Sequence, residues 1–160
     1  MFYFNALCAV VLLLITANQV SYRLLKGRIV RSRSWGLNIC CGNTDGGGVN
    51  CDIVPRDVPN FRQVDIYRLP FADKTFDTVL CSHTMEHVDD PDAFHAELRR
   101  VGAEVVVVLP PLWDVAAALN FLEHRWLFFS LGKVHRKLPL RVALYPGLVW
   151  QAAFGQRVKS

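Results

Sequence analysis

The stretch Leu37–Asp52, LNICCGNTDGGGVNCD, constrains the fold more than any other part of the chain. An apolar run breaks at Gly42, crosses a loop rich in Gly, Asn, Asp and Thr, and climbs through a second apolar run to a lone acid. Short apolar runs bounded by turn residues suit strands buried on both faces. A backbone-exposing turn after one strand and a carboxylate at the tip of the next form the nucleoside-binding edge of an open α/β sheet. Beyond it the pattern predicts further strands over 61–66, 76–81 and 104–109, the last a β-branched run, EVVVVL, suited to the sheet centre. A helix is predicted over 91–101, capped by Asp90 or Asp92 with Pro91 in its first turn. Its Phe94, Leu98 and Val101 recur at helical spacing and should face the sheet. The connectors after the first two strands are too short and too rich in Gly and Pro for full helices, which leaves one sheet face to loops.

The N-terminal segment is of another kind. Phe2 to Val20 carries no charge, and at ~1.5 Å per residue a helix there reaches roughly 28 Å, about one hydrocarbon core. Arg23, Lys26, Arg28, Arg31 and Arg33 follow it with no acid between them. Positive charge after the apolar run, rather than before it, fits a signal anchor better than a cleaved leader. The positive-inside rule then leaves a single-pass protein with its domain facing the cytoplasm. The predicted organisation is a membrane helix over 1–22, a basic juxtamembrane linker over 23–36, a core domain over 37–111, and apolar C-terminal helices over 112–160. Leu112–Leu131 is read as helical and Leu138–Phe154 as an apolar run broken at Pro146-Gly147. This last third would serve as a lid over the sheet edge or lie on the membrane surface.

At 160 residues, 52% apolar and 20% charged, the chain has room for one folded domain. Its formal charge of +4 is concentrated in the basic segment, so the domain carries no nucleic-acid footprint. Cys8, Cys40, Cys41, Cys51 and Cys81 form no CxxC pair, which argues for buried free thiols rather than a zinc ribbon or a disulfide framework.

Two blocks give the core a sharper identity. LNICCGN and GGGVNCDI, then VDIYRLPFADKTFDTVLCSHTMEHVDDP, resemble the ordered motifs of the class I S-adenosylmethionine-dependent methyltransferases, in particular the type 11-like group with a short glycine loop. The resemblance covers roughly residues 37–110. It implies an α/β fold, here a reduced Rossmann-like sheet of about five strands behind an N-terminal transmembrane helix, with S-adenosylmethionine as cofactor. Gly42 lets a ligand lie against the backbone, with Cys41 and Asn43 beside it offering peptide groups to the methionine portion. Asp52 would bind the ribose hydroxyls, Asp65 the adenine amino group, and Ile66 would stack on the ring. Ser82 and His83 emerge at the tip of the fourth strand, facing the reacting centre. A nicotinamide enzyme fits poorly, because GxGxxG is absent and Asp52 follows Gly42 too closely. Cys40 stands where the family has its first glycine, and the chain lacks the family's terminal hairpin strands.

His83 and His87 flank Glu86 at a spacing compatible with metal binding, but no third ligand lies at a supporting distance in sequence, so no metal is expected. Glu86 and His87 are assigned to ordering the loop over the cofactor, and His83 to general-base work where the acceptor loses a proton. The predicted function is methyl transfer to a small-molecule or lipid-linked acceptor near the membrane. The alternative is a non-catalytic binding or scaffold module that kept the sheet and lost activity.

Overall fold

The computed structural model describes residues 2–120 and 122–155. Residues 1, 121 and 156–160, which fall at the ends of the chain and inside the segment predicted as C-terminal helices, lie outside the described residues. Among the described residues eight strands form: β1 (Leu37–Ile39), β2 (Val49–Asp52), β3 (Phe61–Gln63), β4 (Phe76–Ser82), β5 (Gly102–Val108), β6 (Trp126–Phe128), β7 (Val134–His135) and β8 (Arg141–Ala143). Six make one sheet in the order β3-β2-β1-β4-β5-β7, and β6 pairs with β8 in a separate ribbon. The first five pair in parallel, with Leu37 opposite both Val49 and Val79. The five strands predicted from sequence all form, some shorter than expected. β1 stops at Ile39 because Cys40 and Gly42 turn into the left-handed region, at φ 52° and 53°.

The expectation of about five strands is corrected by β7, which joins the β5 edge antiparallel through Val107↔His135 and Val108↔Val134. The C-terminal third departs further from a pair of helices. Among the described residues of its first half, only Val115–Ala118 (α4) is helical, opened by Asp114, whose carboxylate accepts from the Ala117 N–H. Trp126 and Phe128 instead enter β6, where aromatic side chains are favoured, and the Arg141 guanidinium from β8 lies 5.2 Å from the Trp126 ring. Pro146 does not break the last apolar run; it sits in the first turn of α5 (Tyr145–Phe154), where proline's missing N–H costs nothing.

The expected basic linker also proves to be mostly helix. α1 (Phe2–Gln19), a π-helical stretch (Val20–Lys26) and α2 (Gly27–Val30) run on continuously, so the helix reaches Val30. Its first part projects away from the domain, with Tyr3, Leu12 and Leu13 largely exposed, whereas Ser21 and Val30 are buried against the domain.

The sheet sorts its side chains by the two-residue period of a strand. Leu37, Ile39, Cys51, Val79, Cys81, Val105 and Val107 point to the face covered by α3 (Pro91–Val101), where they meet Phe94, Leu98 and Val101. Asp90 caps that helix by accepting from the Asp92 and Ala93 N–H groups. Leu80, Val106 and Val108 point the other way, under Val30 and Trp35. Beside them on this face lie Asn38 and Asn50, both buried, where a parallel crossover would normally bring a helix. The Asn50 amide accepts from Gly46 N–H at 2.9 Å and from Asn38 Nδ2 at 3.0 Å, and donates to Asp45 and to the Pro59 carbonyl, each at 2.8 Å. Asn38 also donates to the Thr44 carbonyl. The side-chain ladder thus ties both helix-free crossovers to the sheet and satisfies the backbone they bury. Gly48 is required for the same closeness: a Cβ there would sit 2.3 Å from the Trp35 carbonyl oxygen.

Candidate active site

β1, β2 and β4 end on the same side, and ligands of open parallel sheets bind past those carboxyl ends. Two cavities lie there, of about 470 and 670 Å³. Cys40, Gly42, His83 and His87 line both, so they are two halves of one cleft.

The smaller half carries the nucleoside-type residues. Asp52 stands at the tip of β2, its Oδ2 accepting from Gly42 N–H at 3.0 Å and its Oδ1 from Val54 N–H at 3.2 Å. The Arg56 guanidinium is 3.5 Å from the same Oδ2. Each carboxylate oxygen has roughly two lone-pair sites, so Asp52 retains acceptor capacity toward the cavity for a vicinal diol. Gly42 is open to the cleft, since a Cβ there would meet nothing within 4 Å. Asp65 and Ile66 share the wall of this half; Ile66 is buried, and Asp65 is exposed with its Oδ1 accepting from Tyr67 N–H at 2.9 Å.

Cys41, Asn43, Ser82 and Glu86 line the larger half. The peptide groups of Cys41 are committed to the turn itself: its N–H donates to the Cys51 carbonyl and its carbonyl accepts from Thr44 N–H, both at 3.0 Å. Of the two neighbours expected to offer peptide groups, that leaves Asn43, an exposed residue on the wall of the cleft. Ser82 Oγ and His83 Nε2 are buried without a hydrogen-bond partner among the described residues. His83 has a left-handed backbone at φ 55°, and its Nδ1 lies 3.4 Å from Glu86 Oε1.

Burial lowers the His83 pKa, with Glu86 opposing. Burial alone would raise Glu86, but the His83 N–H and the neighbouring imidazoles outweigh it and keep the carboxyl below its usual range. Burial likewise draws His124 down to about 4 and Lys133 to about 8. Cys40 is pushed well up by burial, with Cys81 and Asp52 adding to it, and is thus a thiol rather than a thiolate.

The loop that carries these residues is held by the C-terminal third. The Glu86 carbonyl accepts from the N–H groups of Arg125 at 2.7 Å and Trp126 at 3.3 Å. His87 Nδ1 lies 3.0 Å from the Glu123 carbonyl, Trp126 Nε1 donates to the Val88 carbonyl, and Arg125 pairs with Asp89 at 2.7 Å. Folding also brings in wall residues that the sequence alone does not connect to the site. Asn18, Tyr22 and Lys26 come from the end of the N-terminal helix and His124 from the segment before β6. Tyr22 meets the His83 ring edge-on at 5.4 Å, Lys133 Nζ donates to Ser21 Oγ at 2.7 Å, and Asn18 donates to Asp114. No short-range spacing announces these partners; the one sequence signal is that the polar Asn18 and Ser21 dilute an otherwise apolar helix.

An open, mainly parallel sheet with a strand-tip acid, an unobstructed glycine and a cleft past the carboxyl ends defines a nucleoside-cofactor-binding domain of the class I type. The chain belongs to the methyltransferase domain family, whose sequence profile matches residues 24–104. S-adenosylmethionine is the cofactor of this class, and the free acceptor capacity of Asp52 beside the open face of Gly42 fits it. An uncharacterized methyltransferase of Schizosaccharomyces pombe is 34% identical over 79 residues, which are 48% of this chain and 28% of the relative. The chain thus spans little more than a quarter of that relative's length. Among solved structures, the PH0226 protein of Pyrococcus horikoshii is similar at 17% identity and a TM-score of 0.46, covering 87% of this chain and 81% of that one. A methyltransferase of Thermotoga maritima, described as a possible histamine N-methyltransferase, is similar at 18% identity and a TM-score of 0.40, covering 61% and 52%.

Proposed function

We propose that this protein is a membrane-anchored, S-adenosylmethionine-dependent methyltransferase whose acceptor is lipid-linked or lies in the headgroup layer, with the domain on the cytoplasmic side. The observation that carries the reading is the double role of one helix. Tyr3–Val30 is long and apolar enough to cross a membrane, by length and composition, and its last turns wall the larger half of the cleft. A signal sequence would satisfy the same composition, but its end would have no reason to meet Lys133 and His83. The exposed part, up to Thr16, is only about 21 Å long at ~1.5 Å per residue, short of a ~30 Å hydrocarbon core. A spanning helix therefore draws the adjoining domain face into the interface. α4 packs against α1, and its exposed Val115 and the exposed Leu119 just beyond its end suit that depth.

When bound, S-adenosylmethionine supplies a methyl carbon that an acceptor lone pair attacks as the C–S bond breaks and its electron pair stays on sulfur. The chain's task is to align the acceptor with that carbon and exclude water. His83, with Nδ1–H directed at Glu86 and Nε2 unpartnered on the cleft, takes the acceptor's proton where one must leave.

Titration calorimetry of the full chain in detergent, with S-adenosylmethionine and S-adenosylhomocysteine, tests the site. Asp52→Asn removes a charged acceptor worth about 1.5–3 kcal/mol, so cofactor binding should weaken about 10- to 150-fold. No cofactor binding by the folded wild-type chain sinks the enzyme reading. A labelled-methyl screen then separates acceptors: label confined to the water-soluble fraction of a cell extract defeats the membrane-proximal part. The non-catalytic alternative is favoured by one feature, the Cys40 side chain at the junction of the two cavities.

A further inference from the structure

The Glu86 carboxylate is buried at 1% exposure, and neither of its oxygens has a hydrogen-bond partner among the described residues. His124, 5% exposed, has an equally unpartnered Nδ1. One ligand atom each from Glu86, His87 and His124 lies within 4.8 Å of the others, and all three side chains line the larger half of the cleft. No spacing near His87 announces a third ligand; the fold supplies it by laying the 123–126 segment across the loop.

We propose that Glu86, His87 and His124 hold a divalent transition-metal ion, with zinc the best match, in a three-ligand site whose open position faces the larger cavity. The donor set is two imidazoles and one carboxylate, which suits zinc with one position left to water or substrate. Ligands about 2.1 Å from a tetrahedral ion stand about 3.4 Å apart, so the three side chains draw together by roughly an ångström on binding. Their outer contacts are of the kind that orient ligands. A proton on His87 Nδ1, directed at the Glu123 carbonyl 3.0 Å away, gives the tautomer with its lone pair on Nε2. His83 Nδ1 lies 3.4 Å from Glu86 Oε1, leaving Oε2 to the ion. Gln151 donates to the His124 carbonyl at 3.1 Å, and the Glu86 carbonyl is held by two N–H groups. A buried carboxylate whose nearest side-chain donor, His83 Nδ1, stands 3.4 Å away is expensive, and a shared cation offsets that cost. The open position would accept an oxygen ligand, water or an acidic or hydroxyl group of the acceptor.

The site does not depend on methyl transfer, and its test does not use it. The full chain in detergent, stripped with chelator, is titrated with Zn²⁺ against a chromophoric competitor and separately with Co²⁺. One ion per chain should bind in the micromolar range or tighter, with visible cobalt bands of a four-coordinate N/O site and no thiolate-to-cobalt band in the near ultraviolet. His124→Gln and Glu86→Gln should each weaken binding about 100-fold or more, beyond the 10–100-fold typical of outer contacts. Cys8→Ser, at an exposed thiol on the projecting helix, should leave it unchanged. Absence of saturable uptake by folded wild-type chain overturns the site, as does a thiolate band or binding that survives both substitutions. Circular dichroism identifies a variant that fails to fold, and the wild-type cobalt spectrum then decides by itself.

Discussion

Cys40→Gly tests the strain at the end of β1. Cys40 holds φ 52°, a conformation that costs a non-glycine residue about 1–2 kcal/mol. Glycine removes that cost. Against it stand about 0.4–1 kcal/mol from glycine's larger freedom in the unfolded chain and roughly 0.4 kcal/mol for a half-buried group of methylene size. Taking the middle of each range, the balance is a gain of about 0.4 kcal/mol, or a rise of about 1–2 °C in Tm for a chain of this size. An unstrained, half-buried cysteine would give the opposite sign, a loss of about 1 kcal/mol, because only the two unfavourable contributions would remain. Guanidinium unfolding followed by circular dichroism resolves the difference. A loss of 1 kcal/mol or more refutes the strain argument. The same variant addresses activity, because the thiol lies where the two halves of the cleft meet. A working site should bind cofactor equally well, within about threefold, with cysteine or glycine there; a large tightening in the variant would identify wild type as a decayed module.

Asn50→Ala removes four hydrogen bonds at a fully buried position and strands the Gly46 N–H and the Pro59 carbonyl. The expected loss is about 2–4 kcal/mol by denaturant unfolding, and a loss under about 1 kcal/mol would mean that the helix-free crossovers are held by something else. Stability should also fall in alkali. Burial raises Cys41 to about 11 and Cys51 to about 12, and raises Cys40 and Cys81 as well. Unfolded thiols ionise near 8.5, so above that pH the unfolded chain binds fewer protons than the native one, at up to about 1.4 kcal/mol per pH unit per thiol. The contribution is whole below pH ~8.5 and is lost as pH climbs through the folded values. Lys133, lowered to about 8, works in the opposite sense but is one group against four. Unfolding curves at pH 8 and pH 10.5 check this, with Cys51→Ala flattening the fall; equal stability at both values contradicts it.

The parallel strands and α3 were legible because each is specified locally. Glu104–Leu109 is β-branched throughout its centre, and Asp90-Pro91 opens a helix whose Phe94, Leu98 and Val101 share one face. The residues at the strand tips were equally readable, since Gly42, Asp52 and His83 each follow the end of an apolar run by a residue or two. Residues 112–131 are ambiguous in sequence because an aromatic, apolar stretch suits either period; β8 decides for a strand at Trp126–Phe128, and no local pattern carries that information. The basic segment was read for its charge, although Arg and Lys are also good helix formers, and packing of Val30 on Trp35, Val106 and Val108 extends the helix through it. His124 and Lys133 were invisible for a plainer reason: their partners are remote in sequence, and no spacing rule reaches that far.

The bond from Lys133 to Ser21 joins residues 112 positions apart, and it closes the cleft between the start and the last third of the chain. During synthesis the N-terminal helix emerges first and the parallel strands follow, each able to pair with a neighbour already made. The 123–133 segment emerges only later, so the nascent sheet carries a groove with one wall and bare polar side chains, Glu86 among them. Contacts this distant carry a large loop-closure cost and form late. A chain halted before His124 can hold the parallel strands, but its cleft lacks the second wall; the order of translation leaves the site to be completed only after the parallel sheet.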